Sequence, residues 1–219
     1  QYDKDGQVIE AELSSILNHE NLCKYVQCGK IEKNDHQLLY IVTEYVAGEN
    51  LDIRLSRNAK LSLFEIKQIM RALLSALQYI HSLERPIIHN EVTVENVLLN
   101  LVGDFNNLKL IDFGAARFSD LKPDVESWKN QNLFYVASER FIGEGSSKSD
   151  LFSAGVILYK LIFGIMPWEV NIAGMTLQEQ VEAILNQRKS PLTIPNIQVL
   201  EIDTNLLKVM AKALSPDPN

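Results

Sequence analysis

The stretch HNEVTVEN at residues 89–96 decides the fold, together with the tripeptide Asp-Phe-Gly at residues 112–114. Between them lie the apolar runs VLLN and LKLID, separated by a turn around Gly103 and Asp104, and this pattern predicts a β-hairpin. An Asp-Phe-Gly tripeptide alone carries little information. Its position 16 residues after Asn96, at the end of an apolar strand, makes the combination specific.

The ordered spacing continues toward the C-terminus. Ala137-Ser138-Glu139 ends 11 residues before Asp150, and Asp150 opens a run that is apolar on every side up to Phe163. A helix that is apolar all round is typical of burial inside a large core. Gly155 and then Pro167-Trp168 complete the series. We therefore expect a buried central helix in the second half of the chain.

The remaining segments predict strands early in the chain and helices late. Residues 5–18 carry apolar side chains near helical spacing, and LLYIVTEYV at 38–46 has the β-branched and aromatic composition of a buried strand. Two capping boxes, in which a hydroxyl and a carboxylate satisfy backbone donors, predict helices that start at Ser62 and Thr176. A last helix is expected over about 205–214. The fold class is therefore α+β with a mostly helical C-terminal body.

Composition excludes several classes of protein. The chain has 219 residues, a net charge of −7 and 46% hydrophobic residues, as in soluble globular proteins. The acidic balance argues against nucleic-acid binding, and no apolar run reaches the roughly 18 residues that span a bilayer. Two cysteines without metal-ligand spacing exclude a disulfide framework. The absence of a targeting signal and the low cysteine count favour a cytoplasmic location.

Taken together, these motifs resemble the eukaryotic-type protein kinase family over the whole chain. The resemblance implies a two-lobe kinase-like fold, with a partial N-lobe over residues 1–46 (first large helix, strands and hinge) and a C-lobe over residues 47–219. Family members carry a Gly-rich loop and a strand lysine before the first large helix, and neither is present here. The arginine that pairs with the motif glutamate, here Glu139, is also absent. We expect a domain trimmed at both ends, with further domains of the same polypeptide beyond them.

The resemblance also implies ATP and Mg²⁺ as cofactors and assigns a nucleotide site. Asp112 and Asn96 would hold the metal ions, and Thr43 would be the gatekeeper at the end of the hinge strand. Glu10 would pair with the missing lysine, although Glu12 is a competitor that the sequence does not exclude. The resemblance further implies that backbone groups of Glu44 and Val46 contact the nucleotide, and that Leu99 contacts it as well.

The 89–96 loop departs from the family pattern His-Arg-Asp-Leu-Lys-Pro-x-Asn. Glu91 replaces the catalytic aspartate, and its extra methylene displaces the carboxylate by roughly 1–1.5 Å. A displacement of about 1 Å in a catalytic group can lower the reaction rate by about 10²-fold. Thr93 replaces the lysine that contacts the γ-phosphate, and Asn132 replaces the threonine bonded to that lysine. Asn90 replaces the arginine that binds a phosphorylated activation loop, so we expect loop serines such as Ser127 to be plain solvated residues.

The other singled-out residues favour structural roles. His89 is expected to pack against Phe113, and Asp150 to accept backbone hydrogen bonds from the 89–96 loop. Without the family arginine, Glu139 is expected to lack its partner.

Three functions follow from this pattern. The first is a pseudokinase-like domain that binds ATP and Mg²⁺ but transfers phosphate to protein Ser/Thr weakly or not at all. The second is an active Ser/Thr kinase that uses Glu91 as its base, and the third is an interaction module without nucleotide. The partner would be a protein substrate or a regulatory protein.

Overall fold

The structure, a computed structural model, describes residues 9–33, 36–57, 60–100, 105–122, 127–195 and 202–215. Within these ranges the helices are α1 (Ile9–Ile16), α2 (Leu51–Ser56), α3 (Leu63–His81), α4 (Ser147–Phe163), α5 (Leu177–Arg188) and α6 (Thr204–Ala213). The strands are β1 (Tyr25–Lys33), β2 (His36–Thr43), β3 (Gly48–Asn50), β4 (Ile87–Ile88), β5 (Val97–Asn100), β6 (Lys109–Leu110) and β7 (Arg117–Phe118). The α+β class is confirmed.

The small sheet of the N-terminal part consists of β1 and β2, which pair antiparallel from Tyr25↔Thr43 to Lys33↔His36. The predicted strand at 38–46 is thus shifted toward the N-terminus, and residues 44–47 form an irregular segment. α1 packs beside this sheet, and the predicted helical residues 5–8 lie outside the described part. Apolar side chains on the sheet are exposed, at Val26, Ile31, Leu38, Tyr40 and Val42.

The helical body is built around α4. Ser146 caps this helix in a reciprocal box with Ser149, and the helix ends at Gly164, whose φ is 74°. Twelve of its 17 residues are buried, and α3 and α6 both pack against it. α3 begins at the predicted capping box of Ser62 and Glu65 and buries a stripe from Ile66 to Ile80. The predicted central helix is therefore confirmed, and within the described ranges no helix is long and apolar enough to cross a membrane.

A three-stranded sheet in the order β3-β5-β6 joins the small sheet to the helical body. β5 and β6 pair antiparallel with Val97 opposite Leu110, which confirms the predicted hairpin, although the turn residues 103 and 104 lie outside the described part. Leu22 bridges to Leu110, so the segment before β1 rests on the same hairpin. This sheet fixes the position of the 89–96 loop relative to the residues after β2.

The approach of β3 to β5 requires glycine at residue 48. A Cβ at Gly48 would lie 1.9 Å from the Leu99 carbonyl oxygen, whereas a Cβ at Gly29 would meet only the Tyr40 side chain. We expect Gly48→Ala to lower the free energy of unfolding by about 1–3 kcal/mol, because backbone must shift, and Gly29→Ala to have a smaller effect. Urea denaturation of both variants measures this. Equal effects would contradict the close approach.

Candidate active site

Asp150 anchors the 89–96 loop. Its carboxylate accepts the backbone N–H groups of His89 and Asn90, each at 2.8 Å, and the His81 Nε2 lies 2.8 Å from Oδ2. Asp150 is 1% exposed, so these contacts replace the water that the carboxylate loses on burial. They also hold Asn90 in the left-handed region, with a φ of 67°. The predicted scaffolding role of Asp150 is confirmed.

His89 lies in the core as a neutral ring. Burial lowers the pKa of His89, and its ring packs on Phe113 with centroids 4.8 Å apart, as predicted. The Glu91 N–H donates to Nδ1 at 3.3 Å, so Nε2 carries the proton and donates to the Ile111 carbonyl at 3.2 Å. This ring therefore ties the loop to the segment that leads into Asp112.

The β5–β6 hairpin brings the two predicted metal ligands to the same end of the sheet. The Ile111 N–H donates to the Asn96 carbonyl at 3.0 Å, and Asp112 is the next residue, with a φ of 66°. The Asn96 amide nitrogen donates to the Glu91 carbonyl at 2.9 Å, which leaves its oxygen available. Asp112 Oδ1 accepts the Gly114 N–H at 3.0 Å, and the side chain is exposed. One amide and one carboxylate oxygen fit Mg²⁺, which completes its shell with water and phosphate oxygens.

Two glutamates add negative charge beside Asp112. Burial, followed by the charge of Asp112, raises the pKa of both Glu10 and Glu91. Glu10 Oε2 lies 3.8 Å from where a Cβ on Gly114 would be, whereas Glu12 lies 3.9 Å from Arg85. The geometry therefore favours Glu10 over Glu12 as the residue that faces the site. A cation there would relieve the repulsion among these carboxylates.

The segment after β2 is held against the hairpin. Thr43 is the last residue of β2, and the Glu44 N–H donates to the Lys24 carbonyl at 2.8 Å. The Lys109 ammonium, 2.9 Å from Glu44 Oε1, holds the pKa of Glu44 below its ordinary value. Val46 lies two residues further on and is half-buried. The predicted hinge residues thus lie next to the β5–β6 sheet.

Leu99 lies on the face of β5 that points into the core. Its side chain is 4% exposed and belongs to the main apolar cluster. Leu98 pairs with Lys109, and side chains of paired residues share a face of the sheet, so Leu98 lies on the face that meets Glu44. Burial argues against the predicted Leu99 contact, and strand alternation points to Leu98, which the sequence analysis did not select.

The two other departures from the family pattern, Thr93 and Asn132, share no hydrogen bond in the described part of the chain. Thr93 is 5% exposed and offers no charge. Asn132 is exposed, and its Oδ1 accepts the Phe134 N–H at 3.3 Å, so its side chain stabilises the local turn. The Glu139 carboxylate accepts a hydrogen bond from the Ser149 hydroxyl at 2.6 Å, and the absence of the family arginine stays a prediction.

Three buried arginines that the sequence does not predict contact the segment after Asp112. Arg188 is 3% exposed, donates to the carbonyls of Leu133, Phe134 and Val136, and lies over the Phe152 ring. Arg117 donates to Leu121 and Gly145 carbonyls, and Arg140 to the Asn90 carbonyl. No sequence signal identifies them, because arginine is usually exposed. Each of them also donates to a backbone carbonyl at least 28 positions away, which the sequence does not reveal.

Comparison with known proteins agrees with this geometry. The family model described as protein kinase domain matches residues 2–219, and the chain belongs to this family. It is 32% identical over 171 residues to serine/threonine-protein kinase pkn3 of Myxococcus xanthus, covering 75% of this chain and 30% of that protein. It is 34% identical over 162 residues to serine/threonine-protein kinase SIK1 of Mus musculus, covering 73% and 20%.

A further relative is serine/threonine-protein kinase PrkC of Bacillus subtilis (strain 168), 29% identical over 197 residues, which cover 86% of this chain and 29% of that protein. The chain thus spans 30% or less of the length of these curated relatives.

Proposed function

We propose that this protein kinase domain binds ATP with Mg²⁺ and transfers phosphate to protein Ser/Thr residues weakly or not at all, so that it works as a regulator. The observation that carries the proposal is a contrast within one loop. The Asn96 backbone accepts the Ile111 N–H next to Asp112, and the Asn96 amide nitrogen donates to the Glu91 carbonyl, whereas Thr93 is buried and uncharged and Glu91 is longer than aspartate. Binding of metal and nucleotide depends on Asn96 and Asp112, whereas phosphoryl transfer depends on the groups at residues 91 and 93.

The nucleotide would lie between the β1–β2 sheet and the helical body. Backbone groups of Glu44 and Val46 would meet the adenine edge, and Thr43 would stand at the rear of the pocket. We propose Leu98 for the apolar contact below the base, in place of Leu99, because Leu98 shares its face with Lys109. Glu10 would face a strand lysine from upstream. Bound Mg²⁺ would neutralise phosphate charge at Asn96 and Asp112.

Phosphoryl transfer would be weakened at two points. Thr93 supplies no cation to the transferring phosphate, and loss of one such preorganised donor costs about 2.7–4 kcal/mol in the transition state. Glu91 keeps a carboxylate, but its oxygen reaches the position of an aspartate oxygen only if the loop moves. Because these two changes weaken phosphoryl transfer, we propose that the domain regulates a partner protein.

The second candidate function is an active Ser/Thr kinase with Glu91 as the base. The raised pKa of Glu91 favours it, because a base with a higher pKa accepts a proton more readily. In that case the rate should fall at low pH as Glu91 becomes protonated, since Glu91 acts only when ionised. The third candidate, an interaction module, requires that no nucleotide binds.

Substitution at residue 91 separates the candidates. We expect Glu91→Asp to raise the phosphotransfer rate by up to about 10²-fold over the parent, because it shortens the side chain by the displaced methylene. Steady-state assays with a generic basic protein substrate and Glu91→Gln as control measure this. An active parent that loses its activity in both variants would instead support Glu91 as a working base. An active parent unaffected by Glu91→Gln would remove Glu91 from catalysis.

We also propose the lobe boundary at residues 46 and 47, after β2 and before β3. Further domains of the same polypeptide beyond both ends are a proposal that the short coverage of the relatives supports. The partner would be a protein substrate or a regulated protein, and a cytoplasmic location is proposed on the sequence alone.

A further inference from the structure

Side chains of two helices hold a stretch of backbone that has no regular structure of its own, and we term it the 133–138 segment. Residues 133–137 belong to no helix or strand. Arg188, at the end of α5, donates through Nη2 to the carbonyls of residues 133 and 134, at 3.3 and 3.1 Å. Its Nη1 donates to the Val136 carbonyl at 2.7 Å, and the Ser153 hydroxyl of α4 donates to the Tyr135 carbonyl at 2.7 Å. Four successive carbonyls therefore accept side-chain donors.

The guanidinium of Arg188 makes full use of its fork. Nη1 also donates to the Ser138 hydroxyl oxygen at 3.3 Å, so the two Nη atoms serve four acceptors. A planar guanidinium presents these N–H groups in a fixed geometry, which the ammonium of lysine cannot reproduce. The shape of the 133–138 segment is therefore matched to arginine at residue 188.

Arg188 is itself fixed by the core of the helical body. It is 3% exposed, and its Cζ lies 4.7 Å from the centroid of the Phe152 ring and 5.5 Å from that of Trp168. The two rings are stacked, and aromatic faces attract a guanidinium. Burial lowers the pKa of Arg188 to about 10, and the negative charge of Glu139 opposes this lowering. Because Phe152 belongs to α4, Arg188 connects the 133–138 segment to the central helix.

The same segment borders the 89–96 loop. The Arg140 N–H donates to the Ala137 carbonyl at 3.0 Å, and Arg140 Nη1 donates to the Asn90 carbonyl of the loop. Tyr135 is buried, and burial raises its pKa, with a further rise from the charge of Glu95 in the loop. A protein that presents a side chain to this loop must therefore come close to the 133–138 segment.

We propose that Arg188 is a positioning residue for protein recognition, which holds the 133–138 segment in the shape that a protein bound at the 89–96 loop contacts. The identity of that protein, a Ser/Thr substrate or a regulated partner, rests on the proposed function, whereas the holding role does not. Arg188 also differs from the family arginine expected to pair with Glu139. Its described hydrogen bonds go to the segment, and Glu139 accepts a hydrogen bond from Ser149.

Native-state hydrogen exchange of the full-length protein tests the holding role without any ligand. The N–H groups of Tyr135 and Val136 donate to the carbonyls of residues 132 and 133, at 3.0 and 3.2 Å, so opening of the segment exposes them. In Arg188→Lys, which keeps the charge and loses the fork, we expect these two amides to exchange at least about tenfold faster. The amides of His89 and Asn90, which Asp150 holds, should change by less than about twofold.

Steady-state kinetics test the recognition role. With a generic basic protein as the substrate, we expect Arg188→Lys to raise the KM for that protein by about tenfold and to leave the KM for ATP within about twofold. The Glu91→Asp background is used if the parent is slow. If neither transfers phosphate, the Kd of the same protein, from isothermal titration calorimetry, replaces its KM. Lys189→Met, which removes an exposed neighbouring cation, is the control and should change none of these values.

Two results would overturn the proposal. Unchanged exchange at Tyr135 and Val136 in Arg188→Lys would remove the holding role. Faster exchange with an unchanged KM or Kd for the protein, or with equal rises in both KM values, would remove the role in recognition. If Arg188→Lys does not fold, Ser138→Ala removes one of the four acceptors and should cause smaller changes in the same direction. Failure of the protein to bind Mg-ATP would contradict the proposed function and leave the exchange test in force.

Discussion

Replacement of Asp150 by alanine is expected to lower the free energy of unfolding by about 3–5 kcal/mol, the largest effect on stability that we predict. The carboxylate is 1% exposed and accepts two backbone N–H groups at 2.8 Å, with His81 as a third contact. Alanine would leave the His89 and Asn90 donors buried without partners. Each such donor costs about 1–3 kcal/mol, and the removed volume adds to this.

Two further variants make the Asp150 prediction specific. Asp150→Asn keeps one acceptor oxygen and should therefore be less destabilising than Asp150→Ala. Asp120→Ala removes an exposed carboxylate that pairs with Arg85 at 3.0 Å, and a surface pair of this kind contributes at most about 1 kcal/mol. Chemical denaturation of the three variants provides the measurement. An Asp150→Ala variant no less stable than Asp120→Ala would show that the loop is held in another way.

Replacement of Asp112 by asparagine is expected to have the largest effect on ligand binding. We expect the affinity for ATP in the presence of Mg²⁺ to fall by at least about tenfold, because changes even outside the direct ligands of a metal cost 10–100-fold. Asparagine retains an oxygen that can accept the Gly114 N–H, so the local turn should persist. The loss should therefore come from the missing charge and not from unfolding.

The magnesium dependence separates a metal ligand from a structural residue. Without Mg²⁺, the Asp112→Asn variant and the parent should bind ATP with similar affinity, or the variant slightly more tightly, since a negative charge near the phosphates is removed. Isothermal titration calorimetry with Mg²⁺ and with EDTA gives both values, and Asp120→Asn is the control. Equal losses in both conditions would assign Asp112 a structural role only.

The sequence predicted those parts of the fold that depend on local patterns. Ser62 with Glu65 and Thr176 with Glu179 form the capping boxes that their spacing indicated. The all-apolar character of the 150–163 segment predicted its burial, because a helix with no polar face must be covered on every side. The hairpin after Asn96 followed from two apolar runs around a turn.

The sequence was insufficient where a side chain's neighbours come from distant segments. It could not choose between Glu10 and Glu12, since both lie in one short helix and only the packing of that helix decides which faces Asp112. It predicted a nucleotide contact for Leu99 because it does not reveal the strand register. That register places Leu98 on the face of the sheet that meets Glu44. It did not identify Arg140, which contacts residue 90 across 50 positions.

The most direct test of the account is the thermal stability of the full-length protein with and without Mg-ATP. A ligand present at 100 times its Kd stabilises the native state by about 2.7 kcal/mol, which raises the melting temperature by several degrees. We predict such a rise with millimolar ATP and Mg²⁺, and a smaller one with ATP and EDTA. An unchanged melting temperature at millimolar Mg-ATP would contradict nucleotide binding and leave only the interaction module.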